Sequence, residues 1–193
     1  MKMQIAFLLA VSSMTLTASA QSTPAAHGPW QYPGEVSLGY SYLRSNAPPG
    51  GCGCFSMNGG TLQVVAPIPR AFTIVGNASV VTQKNVDGTN TSLTLGSIVG
   101  GFRYRRIHGK WEPFGEVMAG RSEATGGFRK IGITPGGGPW AFTGLIGGGL
   151  DRNISPRWAV RLFDVDYYPT TFMNHTDDHE NNLKVTAGLV FHF

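Results

Sequence analysis

The segment Leu183-Lys-Val-Thr-Ala-Gly-Leu-Val-Phe-His-Phe193 decides how the rest of the chain is read. Successive side chains of an extended strand point to opposite faces. Leu183, Val185, Ala187, Leu189, Phe191 and Phe193 therefore share one face, and Lys184, Thr186, Gly188, Val190 and His192 share the other. The run beginning at Glu35 repeats the pattern, with Val36, Leu38, Tyr40 and Tyr42 opposed to Glu35, Ser37, Gly39 and Ser41. Alternation by itself fits a soluble barrel with its apolar face inward as well as a membrane barrel with that face outward. The polar face favours the second: small and hydroxylic residues suit a narrow lumen, whereas a soluble exterior would carry more Lys and Glu.

Working outward, eight strand-like runs alternate with turn-rich segments: Glu35–Leu43, Asn58–Ala66, Ala71–Gln83, Thr91–Arg105, Trp111–Arg121, Trp140–Leu150, Arg157–Tyr167 and Asn182–Phe193. Each is close to the roughly 9–11 residues that carry a tilted strand across a bilayer. The connections alternate in length. Pro67–Arg70, Arg106–Lys110 and Asp151–Pro156 are short, while Arg44–Met57, Lys84–Asn90, Ser122–Pro139 and Tyr168–Asn181 are longer and polar or Gly-rich. Short turns at one end and long loops at the other is the asymmetry of outer-membrane barrels, whose turns face the periplasm.

Upstream of these runs, Lys2, the apolar stretch Ile5–Val11 and Ala18-Ser19-Ala20 have the layout of a cleavable secretory signal peptide over residues 1–20. The apolar stretch is far shorter than the roughly 20 residues of a membrane helix. Residues 21–34 then form a Pro-, Ala- and Gly-rich lead-in, and 35–193 the barrel. Only 13% of the residues are charged, and 27 are Gly, a composition suited to a β-rich chain with one face against lipid. The formal charge of +4 is scattered, without the basic stripe or basic–aromatic interleaving of nucleic-acid binders.

The terminal strand Leu183–Phe193 resembles the C-terminal β-signal read by the barrel-assembly machinery, with Val185, Ala187, Leu189, Phe191 and Phe193 as its alternating apolar and terminal aromatic residues. Glu35–Phe193 as a whole resembles the small eight-stranded barrels of the OmpA/OmpX type, and Gly144–Asp151 followed by Arg157–Tyr167 is similar to their penultimate hairpin. The resemblance implies an all-β fold, an eight-stranded antiparallel up-and-down transmembrane β-barrel. It also implies export to the outer membrane and contact with outer-membrane lipid and lipopolysaccharide. No peptidoglycan-binding segment follows the last strand, so the cell-wall tethering of the larger OmpA proteins is not implied.

A Lys or Arg facing lipid at mid-depth costs about 2–4 kcal/mol, so mid-strand charges are expected to point inward. Arg103 and Arg105 share a face, which turns Ile98, Phe102 and Tyr104 to lipid. Glu116 inward puts Val117 and Ala119 outward, and Arg161 inward puts Val160 and Leu162 outward. Asp164 and Asp166 have the opposite parity to Arg161; either a β-bulge intervenes or one set sits at the polar rim. Arg103, Arg105, Glu116 and Arg161 are the candidates for a luminal ionic network, of the kind OmpA-like barrels use in place of an open channel. The competing reading is that these charges solvate rim positions. Eight strands enclose an interior that side chains can fill, so no wide pore is expected.

The loops hold the remaining candidates. Cys52-Gly53-Cys54 lies in the first loop, as a stiffening disulfide or free thiols; the spacing is tight for an unstrained disulfide, and four zinc ligands are not in sight. The last loop gathers His175, Asp177, Asp178, His179 and Glu180. His175, Asp177 and His179 are weak candidates for a divalent cation, against the simpler reading of a hydrated charged loop. Outer-membrane lipid A deacylases place a catalytic His two residues before a Ser; here His175 is followed two residues on by Asp177, which does not match. The expected protein is a non-enzymatic outer-membrane barrel without cofactor. It stabilises the membrane and presents four loops, with adhesion or recognition of an extracellular ligand through Arg44–Met57 and Ser122–Pro139 as the finer expectation. A narrow channel or small-molecule carrier, a lipid A-modifying enzyme and a soluble lipocalin-like carrier are the rivals.

Overall fold

A computed structural model describes residues 34–46, 54–68, 72–84, 92–126, 140–172 and 179–193. Eight strands run in chain order: β1 (Glu35–Asn46), β2 (Cys54–Pro67), β3 (Phe72–Gln83), β4 (Leu93–Arg105), β5 (Trp111–Gly126), β6 (Trp140–Asn153), β7 (Trp158–Thr170) and β8 (Glu180–His192). Each pairs antiparallel with its sequence neighbours, and β1 pairs with β8 from Glu35↔His192 to Arg44↔Leu183, closing the barrel. Closure leaves no sheet edge, the condition a strand protein must meet in hydrocarbon. No helix among the described residues is long and apolar enough to span a membrane; the strands do the crossing.

The β4–β5 connection shows why the turns at one end are so short. His108 and Trp111 exchange backbone hydrogen bonds of 2.8 and 3.0 Å, leaving Gly109 and Lys110 as the two central residues. Gly109 has φ +62°, which the first position of a primed hairpin turn requires and which glycine adopts without Cβ strain. The β6–β7 turn closes through Ile154 and Ser155 N–H groups donating to the Trp158 carbonyl, with Ser155 Oγ accepting from Trp158 N at 3.1 Å.

Several strands run further than the alternation predicts. β2 begins at Cys54, β5 continues to Gly126 and β7 to Thr170, so the long connections shrink and the hairpins extend beyond bilayer depth. Polarity inverts that of a soluble protein. Leu38 (67% exposed), Ile98 (65%) and Phe142 (60%) face outward, while Arg103, Glu35 and Lys184 are at most 2% exposed. An apolar exterior around a charged interior loses its driving force in water and gains it in hydrocarbon, which excludes the soluble carrier. Aromatic residues girdle both ends of the belt. Phe72, Tyr104, Trp111, Trp158 and Phe193 lie at the turn end, with Tyr42, Trp140 and Tyr167 at the loop end. Phe72 and Tyr104 pack at 5.3 Å between centroids, and Trp158 and Phe191 at 5.0 Å. Interfacial aromatics of this kind anchor barrels at headgroup level.

Candidate functional site

Charged side chains from six strands meet in the turn-side half of the lumen. The β4–β5 register sets Arg103 directly opposite Glu116, and the Arg103 guanidinium donates from Nε to Glu116 Oε2 at 2.8 Å. Its remaining donors cross the lumen, reaching Glu35 Oε1 on β1 and Gln63 Oε1 on β2, each at 2.5 Å. Gln63 Nε2 in turn donates to Glu116 Oε1 at 3.2 Å. Arg105 lies 3.0 Å from Glu35 Oε2 and 3.2 Å from Glu112 Oε1. Arg161 grips Asp151 through Nε and Nη2 at 2.8 and 2.9 Å, the two-pronged geometry that guanidinium and carboxylate share, and also donates to Gln63 Oε1. Phe114 stands between the two guanidiniums, with Arg103 Cζ at 4.2 Å and Arg161 Cζ at 4.6 Å from its ring centroid, so a cation–π contact on each adds to the ion pairs.

The parity conflict between Arg161 and the two aspartates resolves as a bulge. Arg161 pairs with Gly188 and Asp164 with Thr186, so Leu162 and Phe163 together oppose one residue of β8 and both point outward. The extra residue resets the alternation. Arg161, Asp164 and Asp166 all face the lumen, and the polar-rim alternative does not apply. On β6, Gly147 pairs with both Glu116 and Asp166, and Gly149 pairs with both Phe114 and Asp164. A Cβ on Gly147 would overlap the Asp166 carboxylate and the Val165 carbonyl. The bare stretch of β6 is what lets carboxylates of β5 and β7 approach one another.

Glu116, Asp164 and Asp166 bring carboxylate oxygens within 4.8 Å of each other. Each carboxylate has a cation within reach: Arg103 for Glu116 at 2.6 Å, Arg161 for Asp164 at 3.6 Å and Lys184 for Asp166 at 3.3 Å. Arg103 is shared with Glu35, and Arg161 with Asp151 and Glu35, so the cluster is part of a wider ion-pair network in which cations are shared among carboxylates. His192 closes the turn-side rim, its Nε2 3.2 Å from Asn153 Oδ1.

Glu35, Gln63, Glu112, Asp151, Asp164, Asp166, Lys184 and His192 thus join the residues singled out by sequence. For Glu35, Gln63, Glu112, Lys184 and His192 the signal was parity alone, since each falls on the inward side of its strand. Asp164 and Asp166 carried a parity conflict with Arg161, and Asp151 opened a segment expected as a turn. Nothing in the sequence says which of them touch. Glu180, grouped by sequence with the hydrated last loop, is a correction. It opens β8, is buried, and accepts from Thr170 Oγ1 at 3.0 Å and Phe172 N at 3.1 Å, because the strand starts earlier than the apolar alternation does. His179 is exposed. His175, Asp177 and Asp178 lie outside the described residues, as do Cys52 and residues 1–33. Cys54 is exposed at the start of β2. Ala187, Leu189 and Phe193 are exposed on the outer face of β8, and Val185 and Phe191 are half-buried on the same face.

No family model and no curated protein matches this sequence. The fold does match solved structures. Neisserial surface protein A superimposes with a TM-score of 0.66 at 12% identity, over 83% of this chain and 97% of that one. Ail, the attachment invasion locus protein of Yersinia pestis, in complex with the heparin analogue sucrose octasulfate, gives 0.55 at 16% identity over 83% and 97%. OprG from Pseudomonas aeruginosa, an outer membrane protein, gives 0.53 at 9% identity over 86% and 98%. With its closed barrel, its apolar belt and this likeness, the chain has the fold of the small eight-stranded outer-membrane β-barrels.

Proposed function

We propose that this protein is a closed, non-enzymatic barrel of the outer membrane, whose lumen is shut by the ionic network and whose binding activity resides in its loops. The observation that carries this reading is the three-way clasp of Arg103 on Glu35, Gln63 and Glu116, which ties β1, β2, β4 and β5 together across the lumen. A charge network with each member paired holds its geometry firmly, since releasing one ion leaves another uncompensated in a low-dielectric interior. Arg103, Tyr168, Lys184, Leu43, Met57 and Leu145 are among the largest fully buried side chains, and together they occupy the space through which a solute would pass.

Recognition is assigned to the loops because a shut lumen leaves them as the accessible variable surface. A solved barrel of the same fold holds a heparin analogue, which supports recognition of an extracellular ligand as the finer reading. Lipopolysaccharide and membrane lipid surround the belt, and the barrel-assembly machinery acts on β8 during biogenesis. Planar-bilayer recording separates the closed barrel from the channel: the native protein is expected to show no sustained conductance, and Arg103→Ala to open a measurable one. Sustained native conductance would transfer the assignment to the carrier reading. Deleting residues 127–139 should reduce cell-surface binding without loss of the heat-modifiable band, the faster-running gel band of the unboiled, folded barrel that shifts on heating. Altered lipid A mass in expressing cells would instead establish the enzyme.

A further inference from the structure

Among the described residues at the turn end of the barrel, acidic side chains lie only inside, whereas basic ones lie on both faces. Glu35, Glu112 and Asp151 all turn into the lumen and are buried. The exposed charged residues described at that end are Arg106, Lys110, Arg152 and Arg157, every one of them basic. Two of these, Lys110 and Arg152, line a cleft of about 380 Å³ together with Asn153, Ile154, Val160 and Leu162.

The cleft lies on the outer wall at the depth of the aromatic girdle. Strand pairing sets Arg152 between Trp111 on β5 and Val160 on β7, and the Arg152 guanidinium rests 5.4 Å from the centroid of the Trp111 ring. Lys110 is fixed beside it, because its carbonyl accepts from Asn153 N at 2.8 Å. The opposite wall is apolar, formed by Val160 and by Leu162, the residue that the β7 bulge pushes outward. The bulge therefore serves both faces: inside, it brings Asp164 into the network, and outside it shapes this wall. The result is graded, with two cations toward water and two aliphatic side chains toward hydrocarbon.

We infer that this cleft binds one anionic glycerophospholipid of the periplasmic leaflet, its phosphate held between Lys110 and Arg152 and an acyl chain lying along Val160 and Leu162. Only a lipid reaches an outer-wall cleft at this depth in quantity, and basic side chains at a bilayer surface select anionic headgroups. The leaflet follows from the short turns, which face the periplasm in barrels of this fold. The inference rests on the membrane-spanning orientation and is independent of whether the lumen conducts.

The test is native mass spectrometry of the full protein released from detergent and titrated with phosphatidylglycerol, phosphatidylcholine or inorganic phosphate. The native barrel should retain phosphatidylglycerol in preference to phosphatidylcholine. Retention should weaken about fivefold for each cation removed by Lys110→Gln and Arg152→Gln. The pair Arg106→Gln and Arg157→Gln, outside the cleft, should leave retention nearly unchanged. Equal loss in the two pairs would mean a diffuse basic collar and overturn the site, as would equal retention of phosphatidylcholine. Displacement of the lipid by inorganic phosphate would make it a phosphate site and overturn the lipid assignment. The heat-modifiable band reports separately that each variant still forms the barrel, and bilayer conductance reports separately on the closed lumen.

Discussion

The two halves of the lumen are built by the same eight strands with the same alternation, yet they are filled by different chemistry. Toward the turns, Arg103, Arg105, Arg161, Glu35, Glu116 and Asp151 interlock as ion pairs. Toward the loops, Leu43, Phe55, Met57, Leu93, Leu95, Leu145 and Tyr168 pack as an apolar cluster, with hydroxyls fitted between. There Tyr168 and Ser122 share a hydrogen bond of 2.7 Å, and Thr143 donates to Ser122 at 2.6 Å. The contrast separates two ways of closing a tube. Packing asks for volume and accepts many side chains of the right size. A buried ion network asks for particular partners in a particular register, and fails when one is removed.

The largest expected effect tests that dependence on partners. Arg103→Met leaves Glu116 buried without its guanidinium and Glu35 with Arg105 and Arg161, and should destabilise the barrel by about 3–5 kcal/mol, read from urea unfolding in phospholipid vesicles. Adding Glu116→Gln to that variant should restore part of the loss, since the neutral amide no longer needs the charge. A loss below about 1 kcal/mol for Arg103→Met, the range of exposed pairs, would erase the distinction between the halves. In the apolar half, Leu145→Ala should cost about 3 kcal/mol through the cavity it leaves. Unlike the arginine variant, it should not be relieved by any second change of charge.

The bulged seam offers an intermediate test. Gly147→Ala places a methyl group against the Asp166 carboxylate and neighbouring backbone and should cost about 2 kcal/mol by overpacking; a neutral result would mean that β6 and β7 have room to separate. The smallest effect belongs to a single hydroxyl. Tyr168→Phe removes the hydrogen bond to Ser122 and should cost about 1 kcal/mol, with conductance unchanged. If Tyr168→Phe opened the lumen, closure would depend on the loop half and not on the ions.

Much of the architecture was legible in advance. Alternation in Leu183–Phe193 and in the run from Glu35 placed Leu38, Leu189 and Phe193 outside and Ser37, Ser41 and Thr186 inside, where they lie. Strand ends were less legible. Cys54, Glu123, Asn153 and Glu180 lie in strands although their neighbourhoods lack apolar alternation, because a hairpin that has started continues through backbone pairing whatever its side chains are. The bulge at Leu162 left a trace in the sequence as a parity conflict, and only the pairing with β8 showed that an inserted residue resolves it.

By itself, the sequence determined that eight strands alternate between an apolar and a polar face, and so which residues meet lipid. The physical reason is local: a two-residue period follows from strand geometry without reference to any distant part of the chain. Which luminal charges meet was decided only by the tertiary structure. Glu35 and Arg103 are 68 positions apart, and Gln63 and Arg161 are 98 apart. Their contact depends on register, closure and the β7 bulge, which together set the height of each side chain in the tube. The cleft of Lys110 and Arg152 depends on the same three determinants, since it exists only where β5, β6 and a kinked β7 stand side by side.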